Sequence, residues 1–153
     1  ITVLGRRQLQ RWLQLLVFSA GDKNTVSNPL LMLAATRGRL MELLAAELRP
    51  NDSVLADQAF MAGIMSLMPA LIGQPIADIV TPLGLASHVR EALCDGTGQL
   101  GDMLHLAESS ENGNLEQLAK NLASLPGITP KTLNRAQTQA LQWANSIGQE
   151  KQA

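Results

Sequence analysis

Residues 29–48 constrain this chain more than any other stretch. On a helical wheel of about 100° per residue the segment is apolar nearly all round, interrupted only by Thr36, Arg37, Arg39, Glu42 and Glu47. A helix without a continuous polar face has no side to give to water, so it belongs inside a bundle and needs other helices to cover it. Its ends are marked as well. Asn28 reads as an N-cap with Pro29 in the first helical position, and Pro50, Asn51 and Asp52 break the helix after about Leu48.

The covering helices are legible on both sides. Leu9, Trp12, Leu13 and Leu16 recur at amphipathic helical spacing from about Arg6, until the polar stretch from Ser19 to Asn28 forms a loop. A helix from about Leu55 to Met68 follows, after which Pro69, Gly73 and Pro75 cut the chain into short pieces. Further helices are expected over Leu85 to Asp95, stopped by Gly96, over Gln99 to Glu111, stopped by Gly113, and over Asn114 to Leu125. The last starts at Thr129 and Pro130, lines one face with Ala136, Ala140, Trp143, Ala144 and Ile147, and ends near Gly148. No segment alternates apolar and polar residues for long enough to make a strand. The expected fold is therefore all-α, one helical bundle of about six to eight helices, with no repeat or linker dividing it. At 153 residues, 46% of them apolar and 16% charged, the chain has enough apolar side chains for one sizeable core.

Two polar residues stand where apolar ones are expected. Arg37 falls in the stripe of Leu33, Leu40 and Leu44, where an unpaired guanidinium would cost several kcal/mol in lost hydration. Glu111 falls on a stripe with Leu100, Leu104 and Ala107, which makes it the best acidic partner. The pair is read as a structural contact that keeps the bundle in register. On the helix after Leu55, Ala59, Ala62, Gly63 and Ser66 share one small-residue face that lets another helix approach closely. The methionines around that face read as adaptable core filling.

Candidate chemistry is sparse. The chain has two histidines; His88 lies at the margin of an apolar stripe, and His105 points away from the stripe of its own helix, with Glu108 three residues on. Both read as surface or boundary residues, so no metal and no cofactor is expected. Cys94 lies near a helix end without an identifiable base, and the run Gly96, Thr97, Gly98 and Gly101 lacks the lysine and preceding strand of a phosphate loop. A net charge of −1, with Arg6, Arg7 and Arg11 as the main basic cluster, argues against nucleic acid as a partner. A lone cysteine suits a reducing compartment, which makes the cytoplasm the expected location. The most apolar run, Ala59 to Ile72, is shorter than the roughly 18 residues of a membrane span and is interrupted by Pro69.

Several segments together resemble the C-terminal portion of an HDOD domain, the degenerate relative of the HD phosphohydrolases. They are Leu4 to Leu13, Arg37 to Ala45 and Ala59 to Leu67, continued by Ala92-Leu93, Gly98-Gln99-Leu100-Gly101 and Ala140-Leu141-Gln142-Trp143-Ala144. The combination is similar to the subfamily in which an EAL domain, the cyclic di-GMP phosphodiesterase fold, precedes an HDOD domain. The resemblance implies that residues 1–153 are part of a longer EAL-HDOD polypeptide whose first HDOD helices lie upstream of Ile1. It also implies that Ser66 and Leu67 stand where a working HD enzyme carries its adjacent His-Asp ligands, and Leu33 near an earlier ligand histidine. None of these three can replace such ligands. Gly38 departs from the alanine expected between the two arginines, a change that loosens a helix by about 1 kcal/mol.

The reading that follows is a non-catalytic signalling or regulatory domain that binds protein partners, or an upstream EAL domain in cis, through a helical surface on which Arg6, Arg7 and Arg11 are the candidate contacts. A homodimer stays open. The alternatives are a nucleotide- or cyclic-dinucleotide-binding module using Arg6, Arg7, Arg37 or Arg39 for phosphate contact, and, behind it, a residual metal-dependent phosphohydrolase.

Overall fold

A computed structural model describes residues 29–149, and within them every regular element is helical. Helix α1 (Pro29–Leu48) has the expected bounds. It buries Leu31, Ala34, Ala35, Leu40, Met41, Leu44 and Ala45, and also Arg37, Gly38 and Glu42, which fits a helix with no side given wholly to water. Helix α2 (Ser53–Met65) starts two residues earlier than the hydrophobic pattern indicates, because the Asp52 carboxylate accepts the Leu55 N–H at 2.9 Å and caps the first turn.

The chain does not continue as one helix to Met68. It breaks at Ser66 and Leu67, and a five-residue helix, α3 (Met68–Ile72), begins with Pro69 in its first turn, where a missing N–H is tolerated. Then come α4 (Ile76–Val80), a 3-10 turn (Thr81–Leu83), α5 (Ser87–Asp95), α6 (Gly98–Asn112), α7 (Leu115–Ala123) and α8 (Pro130–Gln149). Among the described residues the architecture is thus all-helical without strands, as the sequence pattern implies. The features expected over residues 1–28, including the helix from Arg6, the Asn28 cap and the cluster Arg6, Arg7 and Arg11, lie outside the described residues.

Helix α1 is the hub, packing against α2, α8, α6 and α3, while α5 packs on α2 and α6, and α7 on α6. The first half of α1 meets the end of α6 through Arg37 and Glu111, and Arg49, just past its end, shares a cavity with Gly98–Leu100 at the start of α6. The two helices therefore run in opposite directions.

The α1–α2 crossing is very tight. A Cβ on Gly63 would lie 2.6 Å from the Gly38 Cα and 2.8 Å from the Arg37 carbonyl oxygen, and one on Gly38 would lie 2.6 Å from Ile64 Cγ1. The small face of α2 does admit a close neighbour, and Gly38, a departure by resemblance, has a packing reason: it lies opposite Gly63 at the crossing. On its other side α1 meets α8, where Trp143 lies edge-on to Phe60 of α2 with ring centroids 5.8 Å apart.

One stretch, Ser53–Ile72, is long and apolar enough by composition to cross a bilayer, although no uninterrupted apolar run within it reaches that length. In the fold it is divided between α2 and α3, and half of its most apolar window is buried inside the domain.

Candidate functional site

Arg37, one of the buried polar residues, meets Ser66 and Glu111 where α1, the α2–α3 break and the end of α6 converge. Arg37 is on the core side of α1 with its side chain 9% exposed. Its Nε donates to Glu111 Oε1 at 3.0 Å and its Nη2 to Glu111 Oε2 at 2.5 Å, a two-point contact between a planar fork and a carboxylate. The Glu111 side chain is 22% exposed, so the pair sits at the edge of the core and not at its centre.

The third donor, Nη1, reaches Ser66 Oγ at 2.9 Å, and that hydroxyl in turn donates to the Gly63 carbonyl at 2.7 Å. Ser66 can do this because of its helical register: at the C-cap of α2 it is still in right-handed helical conformation, three residues after Gly63 on the small-residue face that meets α1. The structure thus brings Arg37, Glu111 and Ser66 together. Leu67 is buried, and Leu33 is half-buried against the same core.

Arg39, two residues on, faces the other seam. It pairs with Glu42 on its own helix, and its guanidinium carbon lies 5.9 Å from the centroid of Trp143. The buried Nε of Arg39 has no hydrogen-bond partner among the described residues. Both α1 arginines are therefore committed within the bundle.

The histidines take structural roles on the opposite end. His105 Nε2 lies 3.1 Å from the Gly96 carbonyl oxygen, so this nitrogen carries the hydrogen and ties α6 to the end of α5. Asn121 of α7 completes the link, donating to the His105 carbonyl and to Ser109 Oγ, each at 3.0 Å. His88 instead borders an open cavity of about 240 Å³ together with Arg49, Gln58, Glu91, Thr97 and the floor residues Leu55 and Leu100. Sequence reasoning missed this cavity, since its walls come from four separated stretches with no motif among them. Cys94 is exposed. Among the described residues no three His, Cys, Asp or Glu side chains converge as a metal-binding group.

With this geometry in place, the chain is similar to a cyclic di-GMP phosphodiesterase, CdgJ of Vibrio cholerae, with 27% identity over 115 residues. The alignment covers 75% of this chain but 26% of CdgJ, so the chain spans about a quarter of that relative's length. No protein-family model and no solved structure matches the chain.

Proposed function

We propose that the chain is a non-catalytic, HDOD-like helical domain of cyclic di-GMP signalling, acting by contact with protein partners or with an EAL phosphodiesterase domain placed upstream in the same polypeptide. The observation that carries this reading is how the α1–α2–α6 junction is occupied. Ser66 and both Glu111 oxygens are held by one guanidinium, and Leu33 and Leu67 serve as packing. A divalent cation entering there would meet a fixed positive charge in place of ligands. Similarity to a protein named as a cyclic di-GMP phosphodiesterase supports the signalling context. On this reading residues 1–153 are the C-terminal part of an HDOD domain in a longer, cytoplasmic protein, and contact surfaces include Arg6, Arg7 and Arg11.

Purified chain incubated with cyclic di-GMP and Mn²⁺ or Mg²⁺ is expected to release no linear dinucleotide. Adding it to an EAL-type phosphodiesterase, or deleting it from a polypeptide that carries both, is expected to change that enzyme's rate. Metal-dependent turnover by the chain itself, lost in Ser66→Ala or Glu111→Gln, overturns the reading.

The open cavity of about 240 Å³ beside Arg49 and His88, which would seat only part of such a ligand, supports one second reading, a module that binds a nucleotide or cyclic dinucleotide without cleaving it. Phosphate contact through Arg37 or Arg39 would first have to break the pairs described above, so Arg49 is the arginine to test. Calorimetry with cyclic di-GMP, run on the native chain and on Arg49→Ala, separates the two readings: heat that disappears in the variant favours the module.

A further inference from the structure

We propose that Asn112 is a site of spontaneous covalent modification, deamidation through a cyclic imide, and that the fold singles it out from its nearest chemical equivalent. The chain contains one Asn-Gly step, Asn112-Gly113, and one Asp-Gly step, Asp95-Gly96. Both stand at the end of a helix, with the glycine in the left-handed region at φ 69° and 68°. Their surroundings differ in the group that matters. Imide formation requires the backbone nitrogen after the side chain to swing round and attack the side-chain carbonyl carbon.

At Gly96 that nitrogen is held: its N–H donates to the Ala92 carbonyl at 3.1 Å, the Gly96 carbonyl accepts from His105, and an added Cβ would lie 2.9 Å from the imidazole. At Gly113 the N–H makes no well-formed backbone hydrogen bond among the described residues, no described atom beyond its chain neighbours lies within 4 Å of where a Cβ would be, and both Asn112 and Gly113 are exposed. The Asn112-Gly113 peptide can rotate without breaking a well-formed backbone hydrogen bond, and glycine offers no side chain to obstruct the approach.

The chemistry needs only water as co-reactant. The Gly113 nitrogen loses its proton and bonds to Asn112 Cγ, the side-chain nitrogen leaves as ammonia, and water then opens the five-membered imide at either carbonyl. Opening at one gives aspartate, and at the other isoaspartate, whose backbone runs through one extra methylene carbon. Either product places a new carboxylate at the C-terminal end of α6, the unfavourable end of a helix for negative charge, one residue from the Glu111 that holds Arg37. The isoaspartate also lengthens the two-residue connection that leads to Asn114, the cap of α7.

The test is incubation of the whole chain at pH 8.5 and 37 °C, natively and in urea, followed by peptide mass spectrometry and isoaspartyl methyltransferase labelling. A gain of about 1 Da is expected at Asn112 in the native chain, at a rate within about tenfold of that in urea, while native Asp95 gains no isoaspartate label. Gly113→Ala should slow the gain by about tenfold or more, and Asn112→Gln should abolish it should the alanine variant fail to fold. A native chain that stays unmodified at Asn112 while the urea sample converts overturns the proposal, as does equal labelling at Asp95.

Discussion

Arg37 is the residue whose loss should be felt most for its size. Replacing it by alanine leaves a mostly covered carboxylate and a hydroxyl without their shared donor. Because Glu111 keeps some access to water, the cost should fall below that of a fully buried pair, at roughly 2–3 kcal/mol of unfolding free energy. Glu111→Gln retains one acceptor and should lose about 1 kcal/mol. Urea unfolding of both variants measures this, and an unchanged Arg37→Ala midpoint would mean that the contact does not support the fold. Why this pair was legible and its third member was not follows from position. Arg37 and Glu111 each interrupt an apolar stripe, which marks them as polar groups that need partners. Ser66 carries no such mark: a serine on a small-residue face is unremarkable until the helix packed against that face is known to bring Arg37 to it. The bond from His105 to Gly96 was hidden for a similar reason, since it joins two helices across a turn.

Helix by helix, the punctuation was readable because capping and stop residues act locally. Asn114 and Thr129, expected at helix starts, each accept a backbone N–H three residues on, at 3.1 Å, whereas Asp52, expected only to break α1, also caps α2 by accepting the Leu55 N–H at 2.9 Å. The position of the α2–α3 break was not readable: Pro69, which has no N–H for the Met65 carbonyl, marks a break, but Ser66-Leu67-Met68 is as compatible with helix as the residues before it, so an end at Met65 carries no signal of its own. The α1–α2 crossing offers a sharper test of this level. Alanine prefers helix over glycine by about 1 kcal/mol. At Gly38 an added methyl meets Cγ1 of the buried, β-branched Ile64 at 2.6 Å and the Phe60 carbonyl oxygen at 3.1 Å, so crowding outweighs the helix preference and Gly38→Ala should lose about 1 kcal/mol. At Gly63 it meets backbone atoms that cannot step aside, and Gly63→Ala should lose about 2 kcal/mol or more. Midpoints unchanged or raised in both variants, in thermal or urea unfolding, would show that the helices are not pressed together there.

For the whole molecule, protection should be graded outward from α1. Helix α7 has no fully buried residue, keeps Leu115 77% exposed, and among the described residues leans mainly on α6, tied by Leu118, Leu122 and the Asn121 hydrogen bonds. Native hydrogen exchange should therefore find its amides opening well before those of α1 and α2, whose flanks are covered on several sides. Exchange at one common rate across all three would point to a single all-or-none unit. The seam between α1 and α8 has a practical use. Of the two tryptophans in the chain, Trp143 is packed between the Phe60 ring and the Arg39 guanidinium, and Trp12 lies outside the described residues. A Trp12→Phe protein would carry one indole, whose fluorescence spectrum reports directly whether the C-terminal helix stays seated as a candidate binding partner is titrated in.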